Sequence, residues 1–447
     1  MAGLAAARVL SDRAKHVLVL DADAQSDDTA DAVPRKGVAQ GRHVHLLLKS
    51  GEVVLERLFP GFCAELLAAG SHKMDLAREM AWFHAHAWKP RCDDFPVHFQ
   101  RRPVLEQITR QRTQALENVE LRGSSRVTGL VCERGRVMGV KVGEQLIAAD
   151  LVVDASGRGS QVAKWITEEG FSKPPVDSVG IDVSYATAIV RLAEPPTEFN
   201  AMALYPALPV PGWGILFPID HGQHIVTLMG YFDDVPSTER AGFIEFSARL
   251  GHPHIHALIH DADFVTEIAR FHFKGTRYIR YDKAKRLPRG LVALGDAVCS
   301  FNPVFGQGMS TALMTAEVLE QMAQKTLDID PRTYFQRVAK TLAFPWKTGI
   351  TEDFRAPQTT GTRPFGLRLN QVLTDLMNAR ASADADFYRE YVKVFHMIAP
   401  PSALLNPRML ASILLGSKTP LYHGPAVRKI KSVSALSAHA RSALSRP

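Results

Sequence analysis

The spacing of apolar and polar residues in the first third of the chain alternates between the periods of helices and strands. Apolar residues recur at every third position between Gly3 and about Arg13, which predicts a helix. Residues 16–20, with the sequence HVLVL, predict a β-strand that ends just before Asp21. The same criteria predict helices within 40–70 and at 103–116, a hairpin over 127–142 and a buried strand at 151–154. This succession indicates an α/β fold.

The pattern changes between residues 180 and 273, where apolar and polar residues alternate along several short segments. Alternation with a period of two predicts an antiparallel sheet with one buried face and one face toward solvent or a ligand. Residues 290–296 return to the buried-strand pattern, and a helix of about 16 residues is predicted after Gly308. The predicted organisation therefore has four parts: two α/β parts at 1–178 and 276–325, an antiparallel part at 179–275, and a mostly helical region at 326–447.

Composition narrows the class of protein. The chain is 46% hydrophobic and 22% charged, which excludes a disordered, collagenous or coiled-coil protein. Its four cysteines are scattered without a CxxC pair, which argues against a zinc site and favours a reducing, cytoplasmic environment. No stretch reaches the roughly 18 consecutive apolar residues of a membrane-spanning helix.

The net charge of +7 comes from the C-terminal region. From Tyr391 onward the sequence has eight Lys and Arg residues and no Asp or Glu, so the rest of the chain is close to neutral. A basic surface that follows a nucleic acid is therefore not expected. The basic segment 427–446 is expected to be solvated, or to make weak contact with an anionic membrane surface.

Gly3 and Asp21 fit the later part of a dinucleotide-binding fingerprint. Such a fingerprint has a strand, a glycine-rich turn that opens a helix, and an acidic residue about 20 positions later that binds the ribose hydroxyls. The N-terminus of the helix stabilises the negative charge of the pyrophosphate. The sequence begins inside this motif, without its first strand and two glycines, so we expect that the true start lies upstream.

A second glycine-rich motif connects the predicted strand at 290–296 with the helix that follows. The carboxylate of Asp296 is suited to bond a polyol chain, and the glycines after it let backbone N–H groups approach the edge of a ring. The dipole of the following helix favours negative charge at the same place. The candidate binding residues of this motif are Asp296, Pro303, Gly306, Gln307, Gly308 and Met309.

This region resembles the FAD-dependent monooxygenases of the p-hydroxybenzoate hydroxylase and squalene epoxidase superfamily, and most of all bacterial relatives that include polyether epoxidases. The resemblance implies that Asp296 binds the ribityl hydroxyls of FAD and that the loop from Pro303 to Gly308 covers the isoalloxazine ring. The implied fold is a Rossmann-like FAD-binding domain without its first strand, carrying an inserted antiparallel substrate domain and a helical C-terminal tail. The resemblance also implies FAD contacts for Asp154, Arg35 and Arg102.

The activity implied by the resemblance is hydroxylation or epoxidation of an apolar or aromatic small molecule with NAD(P)H and dioxygen. No catalytic side chain and no metal ligand is assigned. Three alternatives stay open: a flavin halogenase, suggested by residues 212–218 (GWGILFP); a prenyl-chain reductase; and a non-catalytic remnant held at a membrane by its basic C-terminus. The predicted lining of the substrate pocket is Tyr185, Met202, Tyr205, Trp213, Phe217, Met229 and Tyr231.

Three histidines alternate at positions 252, 254 and 256. Alternating histidines on a strand can ligate a metal. No cysteine or cluster of carboxylates completes such a site in the sequence, so a solvated loop is expected instead. His43 and His45 are given no role, although either could lie near the flavin.

Overall fold

A computed structural model describes residues 1–24, 34–35, 37–93, 95–205 and 212–426 of the 447-residue chain. The basic segment 427–446 lies outside these residues. The α-helices are α1 (Ala2–Ser11), α2 (Lys49–Leu58), α3 (Phe62–Ala68), α4 (Leu76–Glu79), α5 (Arg102–Gln114), α6 (Val162–Glu168), α7 (Arg240–Ser247), α8 (His254–Ile259), α9 (Gly308–Ala323), α10 (Pro331–Asp353), α11 (Leu367–Ala383), α12 (Ala385–Phe395) and α13 (Pro407–Leu415).

The strands lie in six sheets within the described residues. They are β1 (Val17–Leu20), β2 (His72–Asp75), β3 (Met80–His84), β4 (Ala87–Trp88), β5 (Pro96–Phe99), β6 (Val119–Arg122), β7 (Val127–Glu133), β8 (Arg136–Val142), β9 (Gln145–Ala148), β10 (Val152–Asp154), β11 (Val176–Gly180), β12 (Val183–Arg191), β13 (Ala201–Tyr205), β14 (Trp213–Pro218), β15 (His224–Tyr231), β16 (Asp263–Phe264), β17 (Ala269–Phe273), β18 (Thr276–Ile279), β19 (Leu291–Ala293), β20 (Cys299–Ser300) and β21 (Thr360–Gly361).

The parallel strands form two separate pairs. Strand β1 pairs with β6, with Val17 opposite Val119, and β10 pairs with β19, with Val152 opposite Leu291. Within the described residues, β1 and β10 therefore each keep one edge without a strand partner. Helices α1, α2, α5 and α9 cover these strands in one hydrophobic core. This arrangement of parallel strands and covering helices confirms the predicted α/β fold.

The largest sheet has the strand order β16-β12-β15-β14-β13-β3-β4, with β17 also paired to β12. Helices α7 and α8 pack on one of its faces, and the C-terminal helices α11 to α13 contribute to the core on the other. Strand β3 joins the sheet by parallel pairing with β13, although it precedes the predicted antiparallel part by about a hundred residues. Hydrogen bonding across a sheet brings such distant segments together, and the local pattern of β3 does not reveal its partner.

The helical region after residue 326 is divided by capping residues and prolines. Helix α10 begins at Pro331, after Asp330 whose carboxylate accepts a hydrogen bond from the N–H of Thr333 at 2.9 Å. Helix α13 begins at Pro407 after an equivalent cap by Asn406. A proline at the first helical position costs nothing because its missing N–H would have had no partner there. The described part of this region is mostly helical, as predicted.

The expectation of a solvated loop at the alternating histidines is wrong. His254 and His256 lie in α8 and are 7% and 2% exposed. The ring of His254 packs against Trp88, and its Nε2 lies 3.0 Å from the carbonyl oxygen of Pro425. A distant tryptophan and the chain near residue 425 thus supply the partners of His254, and the ring of His256 lies against α7, with its Nδ1 3.1 Å from the hydroxyl of Ser247.

Candidate cofactor and substrate cavity

A cavity of about 1660 Å³ lies between the parallel strands and the large sheet. Pockets for single small molecules usually measure roughly 300–1,000 Å³, so this cavity has room for a dinucleotide and a second ligand. Helix α1 and strands β1 and β10 border one part of it, and aromatic side chains of the large sheet border another. The residues predicted from the sequence that line the cavity are Gly3, Asp21, Arg35, Arg102, Asp154, Asp296, Pro303, Gly306, Gly308 and Met309.

Asp296 stands in the short 3₁₀ turn Gly295–Ala297 directly after β19, at the cavity wall. No hydrogen bond or ion pair joins its carboxylate to another residue of the described chain. Burial raises the pKa of this carboxyl, and the nearby charges of Arg102 and Arg158 oppose the rise. A desolvated carboxylate without partners is costly unless a ligand supplies hydrogen-bond donors. Asp296 is therefore the residue here best suited to bind hydroxyl groups.

The loop from Asn302 to Gly308 brings the N-terminus of α9 to the cavity. The side chain of Asn302 accepts a hydrogen bond from the N–H of Val304 at 3.1 Å, which starts the 3₁₀ turn Pro303–Phe305. No side chain caps α9, so its first N–H groups remain available beside Asp296. Gln307 was predicted to bind the cofactor, but it is not among the residues that line the cavity. Its side chain is buried, and its Oε1 has no hydrogen-bond partner among the described residues.

Gly306 has a φ of +66°, in the left-handed region that side chains with a Cβ disfavour. We expect Gly306→Ala to lower the free energy of unfolding by about 1 to 2 kcal/mol, because the backbone must keep this conformation. Denaturant unfolding at neutral pH measures the change. Gly308→Ala is the matched control, since Gly308 is helical and the nearest atom to an added Cβ would be 3.8 Å away. An equal loss of unfolding free energy in both variants would contradict the explanation that the positive φ of Gly306 requires a glycine.

Arg35 forms ion pairs with carboxylates at the end of β1 and on α5. Its Nη2 lies 3.0 Å from Asp21 and 3.2 Å from Asp23, and its Nη1 lies 2.9 Å from Glu106. A guanidinium with these three partners holds Asp21 at the cavity wall. Asp21 and Arg35, which were both predicted to bind FAD, therefore lie together at the cavity wall. They face the cavity and also form an ion pair with each other.

Asp154, at the end of β10, bonds mainly to its own loop. Its carboxylate accepts hydrogen bonds from the N–H of Ser156 at 3.0 Å and from the hydroxyl of Ser160 at 2.6 Å. These bonds fix the turn that follows β10. The added Cβ of a residue at position 3 would lie 3.5 Å from Ala155, so the start of α1 packs on this turn. The structure therefore gives Asp154 the function of shaping the cavity wall.

Four of the seven side chains that were predicted to line the substrate pocket lie in the aromatic part of the cavity. Tyr185, Tyr205, Phe217 and Met229 line it. Met202 points to the opposite side of β13, where it is buried in the core beneath α7 and α8, because neighbouring positions of a strand face opposite ways. The rings of Trp213 and Tyr231 are not at the cavity surface, and Trp213 packs edge-on against Tyr205 at 4.6 Å between ring centroids.

A buried hydrogen-bond chain at the cavity wall was not predicted. His43 Nδ1 lies 2.7 Å from the hydroxyl of Thr187, which lies 2.8 Å from the hydroxyl of Thr227. Burial lowers the pKa of His43 to about 4, so the imidazole is neutral at pH 7. Its ring lies 5.6 Å from that of Phe271, within the aromatic wall. These residues are far apart in the chain, so no local signal could have grouped them.

Glu52, Cys63 and His98 also come together, away from the cavity. This cluster has the donor types of a metal site. However, the Glu52 carboxylate already accepts hydrogen bonds from the ammonium group of Lys49 and from His98 Nδ1, the latter at 3.0 Å. Burial raises the pKa of the Cys63 thiol to about 12, which disfavours the thiolate that a metal requires. The cluster is therefore a satisfied ion-pair network.

Comparison with known proteins identifies a relative by sequence and solved structures with a similar fold. No protein-family model matches the chain. Protein Rv3254 of Mycobacterium tuberculosis is 32% identical over 336 residues, which cover 71% of this chain and 69% of that protein. The flavin-dependent brominase Bmp2 has a similar structure, with a TM-score of 0.62, 14% identity, and coverage of 88% of this chain and 90% of that one. The p-nitrophenol 4-monooxygenase PnpA of Pseudomonas putida also has a similar structure, with a TM-score of 0.58 and 17% identity. The match covers 88% of this chain and 95% of that one.

The fold is thereby shown: the chain has the fold of flavin-dependent enzymes such as the brominase Bmp2 and the monooxygenase PnpA, in agreement with the fold predicted from the sequence. Within that class, the chain belongs to the same family as Protein Rv3254.

Proposed function

We propose that the chain binds FAD in the cavity and, with NAD(P)H and dioxygen, hydroxylates or epoxidises an apolar or aromatic small molecule. The observation that carries this proposal is the Asp296 carboxylate, which faces the cavity without a protein partner beside the uncapped N-terminus of α9. A polyol chain would supply the hydrogen-bond donors that this carboxylate lacks. The N-terminus of the helix would favour negative charge on a ring held next to it.

The remaining residues of the cavity fit FAD by their charge and position. Arg102 is buried at the wall, and its Nε lies 3.7 Å from Glu106, so a cation is available near α1 for a phosphate. The loop from Pro303 to Gly308 lines the same cavity. FAD, when bound, supplies the redox chemistry that activates dioxygen, for which the protein needs few reactive side chains.

The aromatic part would hold the substrate. Tyr185, Tyr205 and Phe217 give it an apolar wall that excludes water, a requirement of chemistry with reactive oxygen species. The neutral imidazole of His43 adds a polar group that can hydrogen-bond to a substrate oxygen. This combination fits a mostly apolar molecule with one polar group, such as a phenol or a functionalised alkene.

Purification followed by reconstitution tests the proposal. The protein is expected to retain or take up FAD with the visible absorbance of oxidised flavin. With a suitable phenol or alkene it should consume NADH or NADPH only in the presence of dioxygen, and the product should gain the mass of one oxygen atom. A protein that stays colourless with excess FAD would overturn the proposal. Turnover without dioxygen would instead indicate a reductase.

Halogenation is the second candidate, favoured by the structural similarity to a brominase and by the residues of β14. Strand β14 carries Trp213 and ends at Pro218, as in the suggested halogenase segment. Adding bromide to the same assay separates the two reactions, because a halogenase product would carry a bromine atom in place of one hydrogen.

A further inference from the structure

The buried hydrogen-bond chain at the cavity wall determines which ring nitrogen of His43 carries a hydrogen. Thr187 and Thr227 stand opposite each other on β12 and β15 and are 2% and 0% exposed. His43 Nδ1 lies 2.7 Å from the Thr187 hydroxyl, which lies 2.8 Å from the Thr227 hydroxyl. The Thr227 oxygen also accepts a hydrogen bond from the backbone N–H of Val44 at 3.3 Å. This end of the chain is fixed, because a backbone N–H can only donate.

Only one arrangement of the hydrogens gives both hydroxyls an acceptor. If His43 Nδ1 donated to Thr187, Thr187 would donate to Thr227, and the hydroxyl hydrogen of Thr227 would have no acceptor among the described residues. Such an unsatisfied donor is costly at a fully buried position. In the other direction, Thr227 donates to Thr187, and Thr187 donates to His43 Nδ1. Burial lowers the pKa of His43 to about 4, so the single hydrogen of its neutral ring lies on Nε2.

The Nε2–H of His43 faces the cavity. Nε2 bonds to no described residue, and it keeps accessible surface although the whole residue is only 5% exposed. The ring lies among aromatic neighbours, 5.6 Å from Phe271 and 6.1 Å from Tyr185 between centroids. The Tyr185 hydroxyl is itself sealed from the cavity. His43 thus presents a fixed N–H donor in the aromatic part of the wall.

His45, two positions later, has the opposite tautomer. Its Nδ1 lies 2.9 Å from the backbone carbonyl oxygen of His43, and this nitrogen carries the hydrogen because a carbonyl can only accept. Burial lowers the pKa of His45 to about 3, so its ring is neutral and its Nε2 is bare. Both rings line the cavity, but of the two only His43 offers a donor there.

The surroundings of His43 favour a neutral ligand oxygen over a charged one. Burial raises the pKa of the phenols of Tyr185 and Tyr205, so removal from water penalises an ionised oxygen in this part of the cavity. A carbonyl oxygen accepts a hydrogen bond without carrying a charge. A hydrocarbon at the same place would leave the N–H of His43 without a partner, which costs free energy.

We propose that His43 determines specificity by donating its Nε2–H to a neutral carbonyl oxygen, and that the substrate is an apolar carbonyl compound such as an aryl ketone or an enone. This inference deepens the proposed function, on which it rests for taking the cavity as the site of the substrate. Thr187 and Thr227 orient the donor before the substrate arrives, so binding requires no change of tautomer.

Nitrogen NMR of the histidine side chains tests the tautomer in the full chain. Isotope-labelled histidine gives separate signals for hydrogen-bearing and bare ring nitrogens at neutral pH, and the signals of His43 are those missing from His43→Asn. The hydrogen is expected on Nε2, and a hydrogen on Nδ1 would overturn the proposal. The measurement needs no FAD and no turnover, so its failure is distinct from a failure of the proposed function.

Calorimetric binding of three small probes tests the recognition. Acetophenone carries a carbonyl oxygen, α-methylstyrene has the same shape with a CH₂ group in its place, and benzoate carries a charged acceptor. The wild type should bind acetophenone about fivefold more tightly than α-methylstyrene, as expected for one hydrogen bond. It should also bind acetophenone more tightly than benzoate. In His43→Asn, whose amide can still bond to Thr187 but does not extend to the Nε2 position, the preference for acetophenone over α-methylstyrene should disappear.

The affinity for α-methylstyrene should be the same in the wild type and in His43→Asn, which separates loss of the hydrogen bond from a change in the shape of the cavity. The matched control is His272→Gln on β17, at a ring that pairs with Asp182 and does not line the cavity, and it should keep the preference. A wild type without the preference, tighter binding of benzoate, or an unchanged preference in His43→Asn would overturn the proposal. An equal loss of affinity for both uncharged probes would also overturn it, by giving His43 only a structural role.

Discussion

Asp296→Asn is expected to weaken FAD binding by about tenfold to a hundredfold, the value of the charge-assisted hydrogen bonds that the carboxylate would make to hydroxyl groups. The same substitution should not destabilise the protein without its cofactor. No described residue bonds to the Asp296 carboxylate, and burial already raises its pKa. Because the ionised form is disfavoured in the fold, the neutral amide should keep or slightly raise stability at neutral pH.

Equilibrium titration of the FAD-free protein, followed by flavin fluorescence, measures the affinity, and thermal unfolding of the same preparation measures the stability. Asp233→Asn is the matched control, since Asp233 is an exposed carboxylate that does not line the cavity. Loss of FAD together with a large fall in unfolding temperature would mean that Asp296 supports the fold. Unchanged FAD affinity would remove Asp296 from the binding site.

Asp353→Asn is expected to stabilise the protein at alkaline pH and to have little effect in acid. Asp353 ends α10 and is 2% exposed. Its Oδ1 accepts a hydrogen bond from Asn302 at 2.8 Å, and its Oδ2 has no hydrogen-bond partner among the described residues. Burial raises the pKa of this carboxyl from 3.8 to about 7. The neutral acid is therefore the form that suits the native state.

The direction of the pH dependence follows from this pKa. The native state binds the proton of Asp353 more tightly than the unfolded chain does. The contribution of this carboxyl to the free energy of unfolding is therefore fully present below pH 3.8 and is lost as the pH rises through about 7. The difference between the two pKa values corresponds to about 4 kcal/mol at high pH. An asparagine carries no charge and can still accept the bond from Asn302, so the variant should avoid this loss.

Urea unfolding at pH 5.5 and pH 8.5, values chosen on either side of about 7, measures the effect of Asp353→Asn. The stability gain should be larger at the higher pH. Asp330→Asn, at the other end of the same helix, is the control. Hydrogen bonds from Thr333 lower the pKa of Asp330, so its replacement should not stabilise the protein at the higher pH. A gain for Asp353→Asn that is the same at both pH values would contradict the assignment to its ionisation.

Residues close in sequence were predicted well from the sequence. The helix at Arg102–Gln114 and the hairpin of β7 and β8 appear within a residue or two of their predicted bounds. The motif around Asp296 and Gly306 was also found, because a strand, a turn and a helix start are encoded by neighbouring residues. Residues 40–48, at the start of the predicted helical region 40–70, instead form a 3₁₀ turn followed by extended chain, shaped by contacts such as that of His43 with Thr187.

The sequence alone determined the order of the elements, the α/β class and most of the residues at the charged part of the cavity. Only the tertiary structure decided which aromatic residues face the cavity, that β3 joins the large sheet, and that His254 and His256 are buried. The physical reason is that backbone conformation and turns depend on nearest neighbours, whereas burial and strand pairing depend on partners that lie far apart in the chain.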